Sequence, residues 1–112
     1  MKRMSLLTKL RKIRDALNVL DADVGHYEHK GNKKKYIVWS EDGEGDSLDT
    51  DNEKDIQVLS GTVDLFTRDE YDPLIDAVQE TFEKNGISYK LISVQYEEET
   101  KYIHYEWRVE VS

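Results

Sequence analysis

The stretch 87-ISYKLISVQYEEETKYIHYEWRVEV-111 decides the fold of this 112-residue chain. From Ile103 onward every second residue is apolar or aromatic, and the residues between them are nearly all polar. Because successive side chains of a strand point to opposite faces, this alternation predicts a strand with one buried and one solvated face. The apolar set is Ile103, Tyr105, Trp107, Val109 and Val111, and the interleaved set is Tyr102, His104, Glu106, Arg108 and Glu110.

A second strand precedes this one. Ile92, Val94 and Tyr96 alternate with polar residues, and the short polar segment 98–101 suits a hairpin connection. The sequence therefore predicts an antiparallel hairpin over residues 88–111 with one apolar face. Such a hairpin is not stable alone in water, so we expect the rest of the chain to extend the sheet and to cover that face with helices.

An amphipathic helix is predicted over residues 5–20, with Ser5 as its N-cap. Its leucines and isoleucine recur at three- and four-residue spacing, whereas Lys9 and the neighbouring basic residues lie mostly opposite. The apolar stripe is Leu6, Leu7, Leu10, Ile13, Leu17 and Leu20. We expect this stripe to pack on the hairpin, because the apolar face of the sheet needs a cover.

A second helix is predicted over residues 70–85. Pro73 fits only its first turn, so either Asp69 or Asp72 caps it, and Asn85-Gly86 ends it. The predicted buried stripe is Tyr71, Leu74, Ile75, Val78 and Phe82.

Strands are also predicted over three further segments, residues 24–27, 36–39 and 55–66. In the third, the apolar phase changes near residues 60–61, with Ile56 and Val58 before the change and Val63 and Leu65 after it. This change predicts a bulge or bend there, in a strand at the centre of the sheet. The fold class is therefore α+β: a mostly antiparallel sheet of about four to five strands with two helices packed on one face, in a single domain over residues 1–112.

Composition excludes several classes of protein. No run approaches the roughly 20 apolar residues of a membrane span, and the basic start is not followed by the apolar segment of a secretory signal. The absence of cysteine excludes thiol chemistry and suits a cytosolic protein. The net charge of −8 is uneven, because residues 1–35 hold ten Lys/Arg and four Asp/Glu, whereas residues 36–112 hold six and twenty. This separation of charge along the chain suits head-to-tail association or binding to charged partners. The alternative interpretation is that these residues are solubilising charges on solvated faces.

The sequence carries no catalytic motif. It lacks a glycine-rich phosphate loop, a G-x-S-x-G turn and a helical H-E-x-x-H pair. His26 and His29 are three residues apart in a strand or loop, where that spacing does not align them on a metal, and His104 is isolated. We therefore expect structural or solvated histidines, no enzymatic activity and no cofactor.

The segment 42–53 is an acidic loop with a weak likeness to a calcium site. Its oxygen-bearing residues at positions 1, 3, 5, 9 and 12 are Asp42, Glu44, Asp46, Thr50 and Glu53. However, the turn position that requires glycine is Ser47, the usually apolar eighth position is Asp49, and a strand precedes the loop where a helix should enter. A loop that becomes ordered against a partner is the favoured interpretation.

Three segments resemble the small tail-completion proteins of long-tailed bacteriophages and prophages, which act as tail terminators or head–tail joining proteins. They are KYIVW at 35–39 with the acidic loop after it, GTVDLFT at 61–67 before an Asp-rich helix start, and ETKYIHYEW at 99–107. With the N-terminal helix, they follow the order of that family over almost the whole chain.

This resemblance implies a structural protein of the virion that assembles in the bacterial cytoplasm as a ring, a hexamer in such families, at the head-proximal end of the tail tube. Its partners would be further copies of itself, the tail tube protein and the head connector, with DNA passing through the lumen without specific binding. We hypothesise that Asp46, Asp49 and Asp51 keep the lumen acidic; neutralising them should then slow DNA ejection without affecting assembly, and unchanged ejection would remove the idea. Tyr102 and His104 are candidate interface residues on the wet face.

Two other functions fit the residues. A small acidic adaptor or inhibitor that resembles a DNA mimic would bind a basic partner protein through its carboxylates. A calcium-binding module would use the 42–53 loop. Ring formation distinguishes the tail-completion function from the adaptor. Stabilisation of the protein by micromolar calcium would favour the calcium-binding module.

Overall fold

A computed structural model describes residues 4–30, 34–45 and 57–112, and these residues form two helices and five strands. The α+β fold class predicted from the sequence is confirmed. In chain order the elements are α1 (Leu6–Asn18), β1 (Asp23–His26), β2 (Lys35–Glu44), β3 (Leu59–Thr67), α2 (Leu74–Lys84), β4 (Ser88–Tyr96) and β5 (Ile103–Val111).

The five strands form one mixed sheet in the order β1-β2-β3-β5-β4. Strand β3 lies at its centre, and β4 and β5 form the hairpin, both as predicted. All neighbours are antiparallel except β1 and β2, which are parallel. Because β2 runs parallel to β1, the chain between them has to return along the length of β1. Strand β1 has only four residues, so this distance is only about 13 Å and a short connection can span it.

The irregularity predicted near residues 60–61 is present, but it belongs to the neighbouring strand. Strand β3 pairs with β5 without interruption from Leu59 to Thr67, and its apolar residues keep one phase. The register shift lies in β2, between Glu41 and Gly43, opposite this point of β3. The predicted phase change was therefore wrong within β3: Val58 precedes the strand, and Ile56 lies outside the described residues.

Gly61 fixes this point of the sheet. A Cβ at this position would lie 2.4 Å from the carbonyl oxygen of Ser40 and 3.0 Å from Cα of Glu41. Both are backbone atoms of β2, so they cannot move aside as a flexible side chain would. The close approach of the two strands therefore requires glycine.

Helix α1 begins as predicted, with the Ser5 hydroxyl accepting a hydrogen bond from the backbone N–H of Thr8. Two expectations for this helix were wrong. Lys9 is buried rather than solvated, and its ammonium donates to the backbone carbonyl of Gln57, two residues before β3. Leu6 and Leu7 are about half exposed, whereas Ile13, Ala16 and Leu17 of the same helix are buried in the core.

Helix α2 starts at Leu74, and Asp72 supplies its cap: Oδ1 accepts the Leu74 N–H at 2.9 Å. Tyr71 lies outside the helix and is 84% exposed, so its place in the predicted buried stripe was wrong. The end at residues 85–86 is confirmed. Gly86 has a φ of +65°, and the Ile87 N–H returns to the carbonyl of Phe82, which is the hydrogen bond of a Schellman motif.

Both helices cover the same face of the sheet, as predicted, because buried residues of α1 and α2 share one apolar cluster with those of β2, β3 and β5. Trp107 lies in this cluster with no exposed surface, and its indole N–H donates to Gln79 Oε1 at 3.0 Å. The helices also contact each other, since the hydroxyl of Thr81 donates to the carbonyl of Ala16 at 2.8 Å.

Asp72 holds three parts of the structure together. Its carboxylate accepts hydrogen bonds from Leu74 N–H and from the Thr67 hydroxyl, and Lys35 Nζ lies 3.6 Å away. Burial acts to raise the pKa of this carboxyl, but the two hydrogen bonds and the lysine charge together outweigh it, so the pKa lies below its ordinary value. The folded protein therefore favours the ionised form.

We predict that Gly61→Ala lowers the free energy of unfolding by about 1–3 kcal/mol, the usual cost of forcing atoms into a packed site. Chemical denaturation measures this change. Thr62→Ala, at the next position on the opposite and half-exposed face, is the control and should change stability by less than about 1 kcal/mol. Equal losses for the two variants would contradict the role assigned to Gly61.

We predict that Asp72→Asn destabilises the protein by about 1.5–3 kcal/mol at neutral pH, the range for hydrogen bonds to a charged group. Because the pKa of Asp72 is depressed in the folded state, its contribution is complete above the ordinary value of 3.8 and is lost as pH falls through the folded pKa. Denaturation curves of the two proteins from pH 7 to pH 2 should therefore converge at low pH. Asp76→Asn, an exposed change in the same helix, serves as the control; a difference that stays constant with pH would refute the assignment.

Candidate functional site

Strand β4 forms one edge of the sheet. Eight of its nine residues pair with β5 on one side, and no other described strand lies on its outer side. A strand edge presents backbone N–H and C=O groups to its surroundings, and natural proteins protect such edges or use them for association. The side chains of β4 decide which of these applies.

Four large apolar side chains of β4 are exposed. Their exposed fractions are 41% for Leu91, 45% for Ile92, 51% for Val94 and 58% for Tyr96. The expectation that the hairpin buries one complete apolar face is thus correct for most of β5 and wrong for β4. Contiguous exposed apolar groups of this kind typically mark an interaction surface on a soluble protein.

Helix α2 is too short to cover this strand. Eleven helical residues span about 16 Å, whereas nine strand residues span about 30 Å. Phe82 of α2 contacts Tyr89 near the start of β4, with ring centroids 5.4 Å apart. Beyond that contact the apolar side chains of β4 lie outside the helix layer.

A bulge at Ile92 keeps the exposed residues together. Leu91 is opposite Trp107, whereas the register after the bulge places Val94 opposite Tyr105. Leu91 and Val94 therefore lie on the same face although they are three residues apart, and Tyr96 continues that face. The bulge also interrupts the regular edge, which disfavours continuous strand pairing along β4, so contact through side chains is the better match.

The surroundings of this apolar surface are acidic. Residues 69–101, which contain α2, β4 and the turn after it, carry nine Asp/Glu and three Lys. The exposed carboxylates next to β4 belong to Glu83 of α2, which accepts a hydrogen bond from the Tyr89 hydroxyl, and to Glu98 and Glu99 of the turn that follows the strand. We call the four exposed apolar residues of β4, with these three carboxylates, the β4 surface.

The opposite face of the sheet carries a row of stacked rings: His29, Tyr36, Phe66 and His104. Successive centroids are 4.4, 4.6 and 4.2 Å apart, and the rings are nearly parallel. The faces of the two inner rings are therefore occupied by their neighbours and are not open for a base or ligand to stack on. The row is best described as a small second core.

Tyr102 closes this second core, contrary to the expectation that it lies on a wet surface. It is 2% exposed, meets Tyr36 and Phe66 edge to face, and carries the guanidinium of Arg68 over its ring at 4.1 Å. His104 is partly buried beside it. Whether either residue takes part in an interface stays a prediction, but Tyr102 cannot act through an exposed ring in the isolated chain.

Each histidine lies beside a different carboxylate. His104 Nε2 is 2.7 Å from Asp64, His29 Nε2 is 3.0 Å from Asp23, and His26 Nε2 is 2.7 Å from Glu41. Within residues 4–30, 34–45 and 57–112, no group of three His, Asp or Glu side chains is placed to hold a metal ion.

The acidic segment begins later than predicted. Strand β2 continues through Glu44, so Asp42 and Glu44 are strand residues rather than the start of a loop. Asp42 pairs with Arg108 at 3.3 Å, and Glu44 accepts a hydrogen bond from Gln57. The remaining residues of the calcium and lumen hypotheses lie outside the described residues, namely Asp46, Asp49, Thr50, Asp51 and Glu53.

A cleft of about 490 Å³ lies at the start of α2. Its lining residues are Lys34, Lys35, Thr67, Arg68, Asp69 and Asp72. Its principal charged side chains have partners within the protein, because Lys35 pairs with Asp72 and Arg68 donates to the carbonyl of Thr100. The cleft is therefore part of the structural network around Asp72.

Sequence reasoning missed the exposure of β4, although one signal was present. Leu91 and Ile92 are adjacent apolar residues in a strand that otherwise alternates, and such a pair indicates a bulge. Periodicity does not reveal whether a helix reaches far enough to cover a strand. That depends on where α2 lies in the fold.

Comparisons with known proteins add no family assignment. No protein-family model matches this sequence, and no curated protein matches it.

Among the described residues, none of the helices has the length and apolar character needed to cross a membrane. The functional interpretation therefore depends on the β4 surface.

Proposed function

We propose that this chain is a structural subunit of phage or prophage tail assembly, which forms a ring through the β4 surface at the head-proximal end of the tail tube. The observation that carries the proposal is the row of four exposed apolar side chains on an edge strand that α2 leaves uncovered. Exposing these groups to water is unfavourable, so their burial against another chain favours assembly.

The ring itself follows from how such a surface is used. If the β4 surface meets a different surface of the next copy, the contact is heterologous, and repeating it closes a ring or extends a filament. If it meets the same surface of a second copy, association stops at a dimer. The resemblance of segments 35–39, 61–67 and 99–107 to tail-completion proteins favours the ring, with about six copies, and supplies the tail tube protein and head connector as proposed partners.

A second function is an acidic adaptor or inhibitor that binds a basic protein. The excess of carboxylates around β4 favours it, because complementary charge accelerates association with a basic partner. In that case the apolar residues of β4 would contact the partner rather than another copy. The oligomeric state of the isolated protein distinguishes the two functions.

We predict that the wild-type chain forms a closed ring at high protein concentration and that Val94→Lys remains monomeric. A lysine at this position places a charge within the apolar contact, where burial without a partner is costly. Native mass spectrometry over a range of concentrations measures the distribution of species. The melting temperature of Val94→Lys should stay close to that of the wild type, because Val94 is already half exposed.

Val19→Lys is the matched control. Val19 is 76% exposed at the end of α1, so the same substitution adds the same charge at a place remote from β4. This variant should form rings like the wild type. A wild-type protein that stays monomeric at every concentration, and also with tail tubes added, would contradict the ring and favour the adaptor.

A further inference from the structure

We propose that the β4 surface of one copy binds a basic stripe on helix α1 of the next copy. This inference rests on the proposed ring and identifies the second half of its contact. The stripe consists of Leu7, Arg11 and Arg14, and all three side chains are exposed in the isolated chain. Arg14 Nε also pairs with the exposed carboxylate of Asp15 at 2.8 Å, a surface ion pair that contributes little to stability and can exchange for a partner's carboxylate.

The helix geometry places these residues together. Positions 7, 11 and 14 follow the i, i+4, i+7 spacing of one helix face, and the buried residues Ile13 and Leu17 lie on another. Leu7 lies in the first turn of α1 and is 54% exposed. The stripe therefore combines an apolar end with two guanidinium groups.

The two surfaces match in chemistry. Each has an apolar part, formed by β4 on one copy and by Leu7 on the other. Their charges are opposite, because the stripe carries Arg11 and Arg14 with one neighbouring acidic residue, Asp15, whereas residues 69–101 hold nine Asp/Glu and three Lys. Burying apolar groups while opposite charges meet at the rim is the usual arrangement of a specific protein interface.

The two surfaces also belong to different parts of the molecule. Helix α2 lies between α1 and β4, since Thr81 contacts Ala16 of α1 and Phe82 contacts Tyr89 of β4. A contact from the β4 surface to α1 of the next copy is therefore heterologous and leaves a free surface at each end. Only such a contact can continue beyond two copies and close a ring.

Charge reversal with rescue tests this pairing. Arg11→Glu/Arg14→Glu should raise the protein concentration needed for half-assembly at least about tenfold, because like charges then face each other. Glu98→Lys/Glu99→Lys should do the same from the other side. The four changes combined in one chain should bring that concentration back to within about threefold of the wild type, measured by native mass spectrometry at low salt.

Lys12→Glu is the control, since position 12 lies off the stripe on the helix and should not alter assembly. The melting temperature of each variant establishes that it is folded. The pairing with α1 is refuted if Val94→Lys abolishes the ring but neither charge reversal weakens it. It is also refuted if the combined variant is not rescued. Neither result contradicts the ring itself. If the wild type forms no ring alone or with tail tubes, the proposed function fails and this pairing fails with it.

Discussion

The burial of Trp107 is the interaction on which the rest of the structure depends. Its indole lies in the middle of β5, opposite Val63 of β3 and against Phe82 of α2, and its N–H is satisfied by Gln79. Truncating a buried aromatic residue of this size typically costs about 3–5 kcal/mol. Because α2 has to lie over this ring, its position relative to the sheet is fixed, and with it the extent of the sheet that α2 covers.

The uncovered edge follows directly from that position. With α2 placed over β5, the helix reaches the start of β4 at Tyr89 and leaves the apolar residues beyond it exposed. The same arrangement puts α1 on the other side of α2, so the acidic β4 surface and the basic stripe of α1 lie apart. A single packing requirement at the centre of the fold thus leaves β4 uncovered and places it apart from α1, as the proposed ring contact requires.

Much of the fold was predictable because it depends on short-range patterns. Alternation located the β4–β5 hairpin, three- and four-residue spacing located both helices, and Ser5, Pro73 and Gly86 marked three helix ends. The errors share one cause. Lys9, Tyr71 and Tyr102 were each assigned a face by their type and position in a pattern, whereas their burial is set by residues distant in sequence.

The sequence by itself determined the elements, the α+β class, the central place of β3 and the separation of basic and acidic segments along the chain. These properties arise from local backbone geometry and from the period of the apolar residues. Only the tertiary structure decided that β4 is an uncovered edge, that Tyr102 is sealed by Tyr36, Phe66 and Arg68, and that Lys9 is buried against Gln57. The physical reason is that burial is a property of the packed layers, and the length and position of one helix decide which strand stays in contact with water.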